Sequence, residues 1–120
     1  MKVILDTNFI ISCLKRKIDF GEELHNLGFK ILIPKEVIEE LKDLRKDVGH
    51  NTRSLIDIGL EIIENENFEK IKLGGKNVDF GLIKKGKEFY IATLDSAIKN
   101  KVPNKIIISD AQNCLEVIRD

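Results

Sequence analysis

Four acidic residues stand at places where a carboxylate could do chemistry: Asp6 in "KVILDTNFII", Glu40 in "PKEVIEELKDL", Asp79 in "NVDFGLIKK" and Asp95 in "FYIATLDSAI". Two of them share a design. "KVIL" (2–5) and "FYIAT" (89–93) read as buried strands, and each passes into a helix through an aspartate at its carboxyl end. An aspartate there suits the N-cap of the following helix, which explains either one alone. Together they also bring two carboxylates to the edge of a sheet where α/β proteins bind ligands.

The helices supply the other two. At about 100° per residue, Val37, Leu41, Leu44 and Val48 form one apolar stripe. Glu39 points away from this stripe, whereas Glu40 lies at its edge with Glu36 on the same flank one turn earlier. Around 78–88, Val78, Leu82 and Ile83 mark an inner face, and Asp79 is expected to project from the middle of it or to cap the helix. A buried carboxylate with no partner is costly, by several kcal/mol. Acids brought together repel one another, and some would take up protons. A hard divalent cation such as Mg²⁺ or Mn²⁺ resolves the conflict, because it takes oxygen ligands, keeps waters and pairs with phosphates. Beside a phosphodiester it can activate water and stabilise the leaving oxygen. The chemistry suggested is metal-assisted phosphodiester hydrolysis.

Placing these acids requires an alternating order of strands and helices. Strands are expected at 2–5, 30–33, 68–73, 89–93 and 105–109, with helices between them. "KIIIS" (105–109) is apolar enough to be covered on both faces. Pro34 suits the first turn of the helix after "KILI". A helix over 50–67 carries Leu55, Ile58, Ile62 and Ile63 at helical spacing. Such alternation implies a parallel sheet with right-handed crossovers, covered on both faces. The expectation is a single α/β domain over 1–120, a three-layer sandwich around five parallel strands in the order 3-2-1-4-5. Strand 1 must be central and beside strand 4 if Asp6 and Asp95 are to share a cation.

With 42% hydrophobic and 33% charged residues, the chain reads as globular and needs no disulfide at this size. Cys13 and Cys114 have no nearby ligand partners and read as reduced core residues, and His25 and His50 stand isolated. No apolar run approaches the roughly 20 residues of a membrane span, and no hydrophobic leader is recognisable, so a cytoplasmic location without a membrane is expected. A net charge of zero does not advertise a general polyanion binder. Lysines nevertheless bunch at Lys84, Lys85 and Lys87, and at Lys99, Lys101 and Lys105, as a solvated face or as contacts for RNA.

"ILDTNFII", "IPKEVIEEL", "VDFGLI" and "IATLD" resemble the motifs of the PIN domain family, in this order and over essentially the whole chain. The resemblance implies a metal-dependent ribonuclease using Mg²⁺ or Mn²⁺, with catalytic and metal-ligating acids at Asp6, Glu40, Asp79 and Asp95. It implies supporting polar roles for Thr7, Asn8 and Thr93, which would orient carboxylates or meet the phosphate region. Many members carry a second acid after the third motif acid; here that position is Phe80. The resemblance leaves two settings open: a VapC-like toxin held by a small antitoxin-type partner, or an RNA-processing nuclease, for example in ribosomal RNA maturation. A homodimer is expected, since it would line up two basic patches beside two acidic sites. The competing reading is a catalytically inactive PIN fold that binds RNA or protein. Other Asp-bearing folds fit less well. A haloacid-dehalogenase-like phosphatase needs a second Asp where Asn8 stands, and a receiver domain needs an Asp after "FEKIKL"; a P-loop or dinucleotide fold lacks its glycine fingerprint.

Overall fold

β1 (Lys2–Leu5) has three consecutive buried residues after Lys2 because both its faces are covered. It pairs in parallel with β2 (Lys30–Pro34) on one side and with β4 (Tyr90–Ala92) on the other. β3 (Glu69–Ile71) extends the sheet beyond β2, and β5 (Lys105–Ser109) extends it beyond β4, again in parallel. The computed structural model describes residues 1–66 and 68–120, and its sheet has the order β3-β2-β1-β4-β5-β6. The expected order 3-2-1-4-5, with β1 central, is therefore present.

The sixth strand corrects the expectation of five. β6 (Cys114–Ile118) runs antiparallel to β5 and closes that edge. The two are joined by a tight turn in which the Asn113 N–H donates to the Ser109 carbonyl (2.8 Å), with Asn113 at φ 50. Asn tolerates that left-handed conformation, so "SDAQN" followed by "CLEVI" is a turn and a strand. Burial along β5 alternates, with Ile106 and Ile108 buried and Ile107 half-buried. It is thus not covered on both faces as expected, because the second helical layer does not extend over it.

Alternation along the strands divides the core into two layers. Val3, Leu5, Ile31 and Ile33 face one cluster, built with α1 (Thr7–Lys15), α2 (Phe20–Asn26), α3 (Lys35–Leu44) and α4 (His50–Asn65). Ile4, Leu32 and Ile91 face the other, built with α5 (Val78–Lys85), α6 (Ser96–Lys99) and Val102. This is the three-layer α/β/α sandwich.

Several local expectations need adjusting. Pro34 ends β2 and is the N-cap of α3, with helix proper starting at Lys35. The buried face of α4 is Ile56, Gly59 and Ile63; Leu55 and Ile62 are half-buried and Ile58 is 49% exposed. Gly59 sets this face, since a Cβ there would stand 2.7 Å from Leu14 Cδ1 and α1 packs close against it. The expected helix over 50–67 ends at Asn65, and Asn67 lies outside the described residues. Cys13 is buried, and burial pushes its thiol up to about 12, making it a poor nucleophile. Cys114 is only half-buried, on the edge strand, and is not the core residue expected.

Gly86, at the end of α5, is buried because α5 rests directly on the segment after α6: a Cβ at Gly86 would lie 2.4 Å from Val102 Cγ1. Gly86→Ala should therefore overpack this contact and destabilise the fold by about 1–3 kcal/mol. Thermal melting would show it as a fall of roughly 4–10 °C, and an unchanged melting temperature would contradict the close approach.

Candidate functional site

The sheet changes direction of build at β1, with β2 on one side and β4 on the other. In open α/β sheets the crevice beyond the carboxyl ends of such strands is where ligands bind. Asp6 stands there. Its backbone N–H donates to the Ala92 carbonyl (2.9 Å), continuing the β1–β4 ladder by one residue. Its side chain caps α1, with Oδ1 accepting from the Thr7 N–H (2.8 Å). Oδ2 accepts from the Thr93 hydroxyl (2.9 Å). Asp6, Thr7 and Thr93 are the buried polar residues among those described.

Thr93 links two acids. Besides donating to Asp6, its Oγ1 accepts from the Asp95 N–H (3.1 Å). Asp95 then caps α6, with Oδ1 accepting from Ala97 N–H (2.8 Å) and Ile98 N–H (3.4 Å). Both strand-end aspartates are thus helix caps, and both also line the same cleft. The capping and site readings coexist because a cap uses one carboxylate oxygen and leaves further lone pairs outward.

Thr7, the first residue of α1, donates its hydroxyl to Glu40 Oε1 on α3. Glu40 lines the cleft, whereas Glu39 pairs loosely with Lys42 (3.7 Å) at the surface. Glu36 takes a different part. It accepts from the Leu73 N–H (3.0 Å to Oε2) and the Gly74 N–H (3.0 Å), tying α3 to the loop before α5. Partial desolvation pushes its carboxyl up, but the Gly74 and Leu73 amides outweigh this and hold it below the ordinary carboxylate value.

Asp79 corrects an expectation. It is exposed in the first turn of α5 and not in the middle of a buried face; Leu82 is the fully buried member of that helix, with Val78 and Ile83 half-buried. Nor does it cap the helix: Asn77 does, accepting from the Phe80 N–H (2.8 Å). α5 is short and leans one side on the sheet, so its first turn opens onto the cleft.

The cleft has a volume of about 370 Å³ and is lined by Asp6, Thr7, Asn8, Glu40, Asp79 and Asp95, together with Asp43, Leu44 and Asp47. Asp43 and Asp47 were not anticipated; Asp43 lies three residues after Glu40 and hence on a neighbouring part of the same face. Burial is the main cause that raises the Asp6 carboxyl above its ordinary value; the Thr93 and Thr7 hydrogen bonds oppose it, and the charges of Glu40 and Asp79 add to it. No Lys or Arg pairs with Asp6 among the described residues. Nor, among them, does any group of three or more His, Cys, Asp or Glu side chains stand close enough together to hold a metal ion as placed.

The lysines are placed elsewhere. Lys84, Lys87 and Lys101 are exposed, Lys85, Lys99 and Lys105 are half-buried, and none lines the cleft. Lys105 donates to the Lys99 carbonyl (2.6 Å) and so helps to hold the α6–β5 connection. A larger cavity, of about 670 Å³, opens at the amino-terminal ends of β1 and β2, with His25 and Lys30 in its wall. It lies at the opposite end of the strands from the acids, and His50 is exposed on α4. We assign the site to the smaller cleft because the carboxyl ends of the strands deliver its residues. No helix among the described residues is long and apolar enough to cross a membrane.

The chain resembles known proteins in sequence and in fold. The chain is similar to Ribonuclease VapC4 of Methanocaldococcus jannaschii, with 28% identity over 107 residues that span 84% of this chain and 82% of the relative. Its structure superposes on that of the PIN domain endonuclease Utp24 with a TM-score of 0.74 and 27% identity, over 99% of this chain and 93% of the other. The fold is shared with VapBC2 from Rickettsia felis, solved bound to a DNA fragment from their promoter, at a TM-score of 0.54 and 18% identity over 84% and 93% of the two chains. A family model described as a PIN-like domain matches residues 3–109, from β1 through the end of β5, with β6 lying beyond it. On this match the chain belongs to the PIN-like domain family.

Proposed function

We propose that the protein is a divalent-metal-dependent endoribonuclease, with Asp6, Glu40, Asp79 and Asp95 as its catalytic acids. The observation that carries this reading is Asp6: a buried carboxylate at the carboxyl end of the central strand, with no Lys or Arg ion pair among the described residues, sharing one cleft with Glu40, Asp79 and Asp95 from three other elements and with Asp43 and Asp47. The similarity to a protein named a ribonuclease and to a PIN domain endonuclease supports it.

The donors fit a hard divalent cation. They are all carboxylate oxygens, and burial together with the charges of Glu40 and Asp79 disfavours the ionised Asp6 carboxyl, a cost that a bound cation would offset. Asp6 and its three neighbours would hold Mg²⁺ or Mn²⁺ with waters completing the shell, as suits ions that dehydrate reluctantly. Bound there, such an ion would supply an activated water and charge stabilisation at the leaving oxygen. The chain's own residues do the positioning. Thr93 and the Thr7 amide fix both Asp6 oxygens, the Thr7 hydroxyl fixes Glu40, and Glu36 ties the Asp79 side of the cleft to the Glu40 side. Asn8, exposed in the cleft wall, offers an amide donor to a phosphate oxygen.

The exposed lysines of the α5 and α6 ends, Lys84, Lys87 and Lys101 with Lys85 and Lys99, would then meet the RNA backbone outside the cleft. Lys105 is the weakest of that group, since its ammonium is engaged at the Lys99 carbonyl. A homodimer would double this basic surface, and a single-chain mass in light scattering would refute it. Toxin and RNA-processing roles both suit this chemistry; a small antitoxin-type protein that binds tightly and blocks cleavage would assign the first. The test of the function is incubation of the pure protein with a structured RNA. Cleavage in Mn²⁺ that EDTA abolishes is expected, and cleavage unaffected by EDTA would refute the metal requirement.

A further inference from the structure

We propose that Phe80 is a stacking platform for a base of single-stranded RNA at the rim of the acidic cleft, an inference that rests on the nuclease reading above. Phe80 is 49% exposed. A lone exposed apolar residue needs no explanation, but three observations set this one apart.

The first is that the ring is held in place. Asn77 fixes the Phe80 N–H at 2.8 Å, and the ring rests on the turn at Gly75, where a Cβ would come within 3.0 Å of Phe80 Cδ1. Gly75 also has φ +82, so the turn needs glycine for both reasons. The ring is thus seated on backbone while half of it stays open.

The second is its position. Phe80 directly follows Asp79, which lines the cleft, while the next two residues, Gly81 and Leu82, turn into the core. Adjacent side chains leave a helix about 100° apart, so the ring stands on the flank of α5 next to the one that carries Asp79, where a strand leaving the cleft past Asp79 would meet it.

The third is charge. Lys84 lies four residues on, over the same face of α5, and Lys76 follows the Gly75 turn. Both are exposed, and neither forms an ion pair among the described residues. An aromatic surface flanked by cations is how sequence-tolerant sites for single strands are built: the ring takes a base face and the lysines take the backbone.

The chain contains no tryptophan and one tyrosine, so Phe80→Trp provides a sole tryptophan, which can be excited selectively at the red edge of the absorption band. The experiment uses the full chain in the Asp6→Asn background, to spare the RNA, titrated with an oligoadenylate about 12 nucleotides long. Saturable quenching is expected, with no quenching by an abasic oligomer of equal length. Binding of the labelled oligoadenylate should weaken about tenfold in Phe80→Leu and recover in Phe80→Tyr. Binding without quenching, equal quenching by the abasic oligomer, or full affinity in Phe80→Leu would overturn the proposal while leaving the nuclease reading intact. Failure of the wild-type chain to bind any single-stranded RNA would overturn both.

Discussion

Asp6→Asn is expected to reduce RNA cleavage to background while raising the melting temperature of the metal-free protein. The fold should survive because the replacement is nearly isosteric. An Asn oxygen can still accept from the Thr7 N–H, and its amide can donate to Thr93 Oγ1, whose second lone pair is free of the Asp95 N–H. The stability gain follows from the sign of the shift. The Asp6 carboxyl is raised in the folded chain, mainly by burial. Its stabilising contribution is therefore complete only below the ordinary value of 3.8 and is lost as pH rises through the folded value. At neutral pH the metal-free wild type carries that penalty together with repulsion from Glu40 and Asp79, and Asn carries neither. An increase of a few degrees at pH 7, shrinking to nothing below the ordinary carboxylate value, is the expected melting result. In saturating Mn²⁺ the order should reverse, because a ligand that binds only the folded state at 100 times its Kd stabilises by about 2.7 kcal/mol. A variant that cleaves as fast as wild type would reduce Asp6 to a helix cap and refute its place among the catalytic acids.

The second large effect is expected at Thr93, which contacts no solvent. Thr93→Val keeps the shape of the side chain and removes the hydroxyl that donates to Asp6 and accepts from the Asp95 N–H. Losing a hydrogen bond to a charged group costs about 1.5–3 kcal/mol, and Asp6 would be pushed further up for want of its donor. Activity should fall about 10–100-fold, the usual cost of removing a partner that orients a metal ligand. Thr93→Ser should restore most of both. Chemical melts and cleavage rates measured on the same preparations would check this. Full activity and stability in Thr93→Val, with loss in Thr93→Ser, would mean that packing of the methyl group matters and the hydroxyl does not.

How far these residues could be read from the sequence depended on whether their partners were local. β1 and β4 declare themselves by short apolar runs, and the aspartates after them by the strand-to-helix change, so Asp6 and Asp95 were legible. Glu40 was legible because the 3.6-residue period of α3 separates it from Glu39. The same wheel misplaced Asp79, since it assumes that a helix buries a full face, and α5 fully buries little beyond Gly81 and Leu82. The roles of Thr93 and Glu36 depend on contacts made 87 and 37 residues away along the chain. Neither distance leaves a local pattern. β6 was hidden because its pairing depends on a left-handed Asn113 and not on a glycine or proline marker. Asp43 lines the cleft from the last turn of α3 and Asp47 from the chain just after it, and neither carries a motif of its own.

The most direct test of the central claim is the anomalous scattering of crystals soaked in Mn²⁺. The account predicts a peak in the cleft bounded by Asp6, Glu40, Asp79 and Asp95, with an Asp6 oxygen about 2.0–2.2 Å from the ion, as expected for a small divalent cation on carboxylates. A well-occupied peak elsewhere on the chain with none in this cleft would contradict it.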